Sequence, residues 1–401
     1  MNKNAFLADV QEHDYLLVLR GMAVIGVLLG HAFGIGANSL GVYISESPSG
    51  VFRLIDHPLD LWRYMLFVLT PLLGANFVLL FFVQSGYLMG KVFQEGRYQF
   101  AVKGIIKFYR ARFFRIAPLL YFNLIVCLMF FKFGPVSLEE LLGDFFFVTN
   151  FTGRSINLVT WSLSHEMQYY LLCPLVFVLF RVASWRTFVA CCAAVAAIYF
   201  VTRDGFLSHF AYLYSFVAGY AANLLTRLWP GARTTERFKI IALCLGMALI
   251  NCGYNWLFLT GHASLSETLV VLVSVFLVVC MELPSSYEIS GSRPIVSKII
   301  SFGVTTGALT YGIYLWHYVL IRRFSTPFSI LTDRLFAHLP GALSGLSIPL
   351  FHLVQISFVF IATYFISLYT FRHIEVKFRP GLYKFSGPSP QQREERASQP
   401  G

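Results

Sequence analysis

Residues 15–36 read YLLVLRGMAVIGVLLGHAFGIG, and the fold follows from what this stretch can and cannot be. It has about the ~20 apolar residues that carry a helix across ~30 Å of hydrocarbon, yet it contains Arg20 and His31. An ionisable side chain inside a membrane helix is unfavourable unless the protein pairs it or uses it, so both are candidate functional residues. They stand eleven positions apart, which is three turns plus about 20°, so they project from one face about 16 Å apart along the axis. Alone, Arg20 also fits a snorkelling interfacial anchor, and His31 a core histidine satisfied by a neighbouring helix. The two on one face are a stronger signal than either alone.

Working outward, the chain of 401 residues is 57% hydrophobic and only 13% charged, far from the composition of a soluble domain. Apolar runs of similar length recur at roughly 64–90, 117–133, 163–182, 186–203, 207–225, 237–259, 265–283, 299–321 and 346–370, about ten in all, with no soluble domain between them. The expectation is an all-α polytopic membrane protein with about ten transmembrane helices, a single domain over residues 1–380. Residues 381–401, rich in Pro, Ser and charge, are expected to form a disordered cytoplasmic tail. The first apolar run lacks a small-residue cleavage site after it and is expected to be retained.

A net charge of +11 raises the question of nucleic acid, and the placement of the charges answers it. Roughly 22 of the 31 Lys and Arg fall in loops on the side of the termini, against roughly 8 on the other. That is the positive-inside bias, so both termini are expected in the cytoplasm and no nucleic acid is needed. The seven cysteines all lie in apolar runs without C-x-x-C or metal-ligand spacing, so they read as packing thiols, with no metal. No internal repeat is evident, and no broken-helix pair is expected.

Segment 91–116, KVFQEGRYQFAVKGIIKFYRARFFRI, alternates basic and apolar residues at helical spacing and is expected to lie as a basic amphipathic helix on the inner membrane surface. Arg110, Arg112 and Arg115 within it would then surround the same mouth as Arg20. Arginine forks bind phosphate bidentately, which suits a phosphorylated cofactor or, equally, anionic lipid headgroups. A second group gathers in TWSLSHEMQYY, with Trp161, Ser164, His165 and Glu166, and Glu166 beside Tyr169 at i, i+3. A carboxylate there can orient an imidazole, although the same letters also make an ordinary N-cap with an aromatic belt residue. Tyr311, Tyr314 and His317, in YGIYLWHYVLI, are expected at the same outer level as His31 and Glu166. A cationic inner mouth and an outer centre of histidine plus carboxylate together fit a coenzyme A thioester whose narrow arm reaches up the first helix.

In this order, LRGMAVIGVLLGH, FFVQSGYLMG, YRARFFRIAP, TWSLSHEMQYYLLCPLVF, LYSFVAGYAANLL and YGIYLWHYVLI resemble the acyltransferase-3 family of integral membrane O-acyltransferases, from about residue 14 to about residue 380. The resemblance implies ten helices in the bacterial inner membrane, an acyl-CoA donor, usually acetyl-CoA, and transfer to a hydroxyl of a carbohydrate or lipid-linked glycan. By match to the family's motifs, Arg20 and His31 are the first-helix pair, Arg112 and Arg115 the donor-side pair, and Glu166 the acidic position after W-S-L. Arg110 and Ser85 join the donor side, His165 joins the catalytic group, and Trp161, Tyr311 and His317 the acceptor side. Two features depart from the pattern. His165 stands where a small or apolar residue is expected, and FRHIEVKFRP has Glu375 without the expected E-x-P pattern, its proline delayed to Pro380. His31 is expected to act as general base or as transient acyl carrier. The competing reading is a transporter in which Arg20, His31 and Glu166 relay protons or anions. Oligomeric state is not legible.

Overall fold

The computed structural model describes residues 15–39, 75–131, 135–259, 261–285, 294–336 and 347–378. The expectations for residues 1–14, for the first part of the run at 64–90 and for the tail 381–401 lie outside these residues. Among the described residues every regular element is helical, and the one extended contact is an isolated bridge between Thr234 and Ser285.

The first helix, α1, spans Tyr15–Ser39, and α2 spans Ala75–Gln94. The third, α3, runs unbroken over Val102–Phe130, which corrects the expectation of a separate surface helix followed by a span. Its 29 residues extend about 43 Å, more than the ~30 Å of hydrocarbon. The basic segment is therefore the first half of a long membrane helix. Pro118 lies inside it, and the helix continues past it.

A short amphipathic helix, α4, covers Leu138–Phe145 with a full capping box between Ser137 and Glu140. After it come α5, Trp161–Phe180, and α6, Trp185–Val201, then α7, Leu213–Leu228, and α8, Glu236–Ala248. The helix α9 spans Ala263–Glu282. The expected single span at 299–321 is two helices, α10 at Pro294–Ala308 and α11 at Thr310–Phe336, meeting at a 77° bend. The last long helix, α12, spans Ser347–Thr370.

Six described helices are long and apolar enough to cross a membrane, or seven with the bent pair as one span, so the molecule is a multi-pass membrane protein. The helices α6 and α7 have 17 and 16 residues, short of the ~20 that span hydrocarbon, whereas α8 continues without a break through a π-helical turn, Leu249–Gly253, into Tyr254–Leu259, the length of the run expected at 237–259.

Two close crossings set the frame. A Cβ on Gly21 of α1 would lie 2.4 Å from Gly303 O, and one on Gly307 of α10 would lie 2.0 Å from Leu17 O. Gly303 and Gly307 form a G-x-x-x-G face that lets the two backbones touch. With Gly21 against α10, its neighbour Arg20 turns toward α2, α3 and α5. A matching notch joins α2 to α7, where Cβ atoms on Gly86 and Gly219 would each meet a carbonyl oxygen of the other helix at 1.9 Å.

Candidate active site

Five helices converge where Arg20 points. A buried cavity of about 50 Å³ is lined by Arg20 from α1 and Ser85 from α2, by Arg115 from α3, by Ser162 and Glu166 from α5, and by Thr310, Tyr311 and Tyr314 from α11. The 77° bend brings the start of α11 to this wall. Phe81, Phe82 and Leu163 supply its apolar faces. At about 50 Å³ it holds a few waters or a small acyl group.

Glu166 is the hub. Its Oε1 accepts hydrogen bonds from the Ser85 hydroxyl at 3.2 Å and from the Tyr170 hydroxyl. Tyr170, one turn on at i+4, is thus the ring that serves Glu166. The expected neighbour, Tyr169, faces the other way and stacks on Phe216 at 4.4 Å between centroids. Glu375, buried in the π-helical turn Phe371–Glu375, acts electrostatically with Glu166 on both Arg20 and Arg115. Two guanidiniums thus stand against two carboxylates, a compensated set of the kind that buried charges require. Arg20 Nε is buried without a hydrogen-bond partner, which leaves a donor unused beside the cavity.

The other expected residues divide. The Tyr311 hydroxyl lines the cavity while donating to Ile116 O at 2.6 Å. Arg112 sits over the rings of Phe108 and Tyr170, at 5.6 and 5.8 Å, so it reaches the site through Tyr170. Arg110 is exposed on the opposite side of α3 and joins neither.

His165 and Trp161 do not line the cavity. The His165 Nδ1 bonds to Trp161 O at 2.9 Å, and its ring packs with Trp161, Phe82 and Tyr212. The loop before α5 fixes them there. Ser164 accepts from Thr149 N at 3.2 Å, and Asp144 accepts from Ile156 N at 2.7 Å and from the Thr160 hydroxyl. Burial raises the Asp144 carboxyl to about 6, against those hydrogen bonds. Asn157 then ties the loop to α3 and α11 through Asn123 Oδ1 at 2.9 Å and Leu315 O at 3.0 Å.

His31 and His317 meet each other. The His317 Nε2 lies 3.3 Å from the His31 Nδ1. Tyr314 connects this pair to the cavity, since it lines the cavity wall and its ring centroid is 5.8 Å from that of His317. The Tyr314 hydroxyl is held by Ser162 at 2.7 Å and Val159 O at 3.0 Å. The serine was not singled out from sequence, although W-S-L places it one residue after the quoted tryptophan.

A second, larger cavity of about 490 Å³ opens on the far side of Arg20, which lines both. It is lined also by Tyr15, Lys91, Arg97, Lys239, Glu95 and Glu282, at the ends of α1, α2, α8 and α9. Lys91 is ion-paired with Glu282, and Arg97 with Glu95 at 2.7 Å. Lys239 is buried over the Tyr15 ring at 4.8 Å. Sequence reading placed the inner mouth at the arginines of α3, and this vestibule between α1, α2, α8 and α9 was missed. The signal was available in Lys91 and Lys239, basic residues at the ends of apolar runs.

Among the described residues no group of three or more His, Cys, Asp or Glu is arranged to hold a metal. A family profile described as an acyltransferase domain matches residues 13–372, nearly the whole chain. No curated protein and no solved structure matches it.

Proposed function

Because the chain belongs to the acyltransferase-3 family, we propose that this multi-pass membrane acyltransferase moves an acyl group, most readily acetyl, from acyl-CoA to a hydroxyl of a carbohydrate acceptor such as a cell-surface polysaccharide or lipid-linked glycan. The observation that carries the reading is the convergence of Arg20, Arg115, Glu166 and Ser85 on one small buried cavity that shares Arg20 with a larger vestibule. The setting is the bacterial cytoplasmic membrane with both termini inside. The shorter helices α6 and α7, with α8 and its continuation to Leu259, bring the count toward ten spans.

The donor enters by the vestibule, whose size is in the usual range for a small-molecule site. Its acyl end passes Arg20 into the inner cavity, where the small volume favours a two-carbon group. Arg20 and Arg115 hold the donor in that cavity by its polar groups, and the acyl carbon reaches past Tyr314 toward His31. Glu166, held by Ser85 and Tyr170, keeps those guanidiniums in place. His31 takes the proton of the acceptor hydroxyl, the hydroxyl oxygen bonds to the acyl carbon, and the C–S bond breaks. The coenzyme leaves as a thiol after receiving that proton. Transfer through an acyl-His31 intermediate uses the same groups in two steps.

Binding of acetyl-CoA to the detergent-solubilised protein tests the donor half. Arg115→Ala is expected to weaken it at least about tenfold, and an unchanged affinity would remove Arg115 from the donor site. Mass spectrometry of surface glycans with and without the gene tests the acceptor half. Loss of one acyl-sized mass difference is expected.

One observation favours a second reading. A helix pair bent by 77° and lining a polar cavity is also how many transporters build a midplane site. On that reading Arg20, His31 and Glu166 relay a proton or anion, and proteoliposomes would accumulate the ligand with no acylated product.

A further inference from the structure

His31 and His317 are 286 positions apart in sequence, and their contact constrains where the protons sit. The His31 Nδ1 lies 3.0 Å from Val27 O, and the His317 Nδ1 lies 3.1 Å from Ile313 O. A carbonyl oxygen only accepts, so the nitrogen facing it carries the hydrogen. With hydrogen on Nδ1, each neutral ring has a bare Nε2. The bare Nε2 of His317 is the atom that lies 3.3 Å from the His31 Nδ1, so it accepts a second share of the same N–H. The reverse arrangement, with His317 donating from Nε2, sets a nitrogen lone pair against a carbonyl oxygen at both Val27 and Ile313. One protonation pattern therefore satisfies all three contacts.

We propose that His317 is a positioning residue for His31: together with the Val27 carbonyl it holds the imidazole in the Nδ1–H tautomer and leaves Nε2 as the unprotonated, reactive nitrogen. This rests on the acyl-transfer reading only for what Nε2 then does. A bare Nε2 is what either role of His31 requires, because base and acyl carrier both use that lone pair. When Nε2 gains a proton from the acceptor hydroxyl, the ring becomes an imidazolium whose Nδ1–H already faces two acceptors, so the new charge is stabilised without rearrangement. His317 is fully buried, with Tyr314 against its ring, so it acts through His31. The ring of Tyr318 stands edge-on to His31 at 5.4 Å and limits its rotation. His165 repeats the bond from Nδ1 to the carbonyl one turn back but has aromatic rings around it in place of a second imidazole.

The test is ¹⁵N solid-state NMR of histidine-labelled protein in lipid bilayers, with the His31 signals assigned by their loss in His31→Gln, alongside kinetics. In the wild type, the His31 Nδ1 is expected to be protonated and Nε2 bare. His317→Leu is expected to give a mixture of tautomers and to lower kcat about 10–100-fold, with the donor KM held within about threefold. His317→Gln puts an amide oxygen where the ring acceptor was, and is expected to restore the tautomer and most of kcat. A His31 protonated at Nε2 in the wild type, or an unchanged kcat in His317→Leu, overturns the proposal. If the leucine variant does not fold, the wild-type spectrum decides alone. The expected tautomer in a protein that transfers no acyl group would overturn the functional reading and leave the tautomer assignment standing.

Discussion

Glu166 is where the chemistry of single side chains is most exposed to test. Its Oε1 takes hydrogen bonds from Ser85 and Tyr170 while its charge faces Arg20 and Arg115. Glu166→Gln keeps an acceptor oxygen and removes the charge, leaving two guanidiniums against Glu375. Turnover is expected to fall about 100-fold or more. Ser85→Ala removes one hydrogen bond of 3.2 Å, worth about 1 kcal/mol, so its effect is expected to stay within about tenfold. Steady-state transfer assays on both variants check the order, and a serine effect equal to the glutamate effect would mean that charge is not what Glu166 contributes. Sequence reading reached Arg20, Arg115, Glu166, Ser85 and Tyr311 because each is a polar residue out of place in an apolar run or part of a family motif. It could not separate Arg110 from Arg112, since helix phase decides exposure only once the facing helices are known. It also had no means of pairing His31 with His317, a contact made by chain crossing. His165 looked like a partner for His31 by type, and its own helix turned it into an aromatic cluster.

Helices carry two further predictions. Gly303 and Gly307 read as a G-x-x-x-G face, and the α1–α10 crossing depends on it. Gly307→Ala puts a methyl 2.0 Å from a backbone oxygen of Leu17, where no flexible side chain can yield. The expected loss is about 1–3 kcal/mol, toward the upper end, seen as a lower Tm in detergent. Gly231→Ala, with open space around the glycine, is expected to stay within about 0.5 kcal/mol. The second prediction concerns the segment from α4 to α5, held by Asp144. Burial raises this carboxyl from 3.8 to about 6, so the folded state binds the proton more tightly than the unfolded chain. Its contribution is therefore largest below about pH 4 and is lost as pH rises through about 6. Between pH 7.5 and pH 5 the wild type should gain on the order of 1 kcal/mol, and Asp144→Asn should remove that part of the difference. Melting curves at the two pH values check it, and an unchanged pH difference in the variant would show that another group is responsible. The bend between α10 and α11 was the element that sequence reading missed. The hydroxyls of Thr306 and Thr310 bond back to Phe302 O and Gly307 O, each at 2.8 Å, beside Gly307 and Gly312. Such back-bonds loosen a helix without any proline to announce it, and hydropathy alone runs straight through.

At the scale of the whole molecule, class was legible because composition and run length answer to the solvent, and lipid leaves a plain mark on both. Span count was less so, because hydropathy windows register apolar residues and not where a helix starts or breaks: α3 absorbed a loop, while α6 and α7 stayed short. The proposed orientation puts the vestibule at one face of the membrane and can be tested directly. The vestibule holds Arg97 and the ends of α1, α2 and α9, on the side that the charge bias assigns to the cytoplasm. Arg154 is exposed in the segment before α5, on the other side. A membrane-impermeant maleimide should therefore label Arg97→Cys only in inverted vesicles and Arg154→Cys only in spheroplasts, above the background of the native thiols Cys192, Cys244 and Cys252, which are exposed on the helix surfaces. Adding acetyl-CoA should slow labelling at Arg97→Cys and leave Arg154→Cys unchanged, because a donor in the vestibule covers the first and not the second. Labelling of Arg97→Cys only in spheroplasts and of Arg154→Cys only in inverted vesicles would reverse the assignment of donor and acceptor faces, and labelling of both from one side would overturn their placement on opposite faces. Protection at Arg154→Cys with none at Arg97→Cys would place the donor on the outer side and require the acyl group to travel in the opposite direction past Arg20.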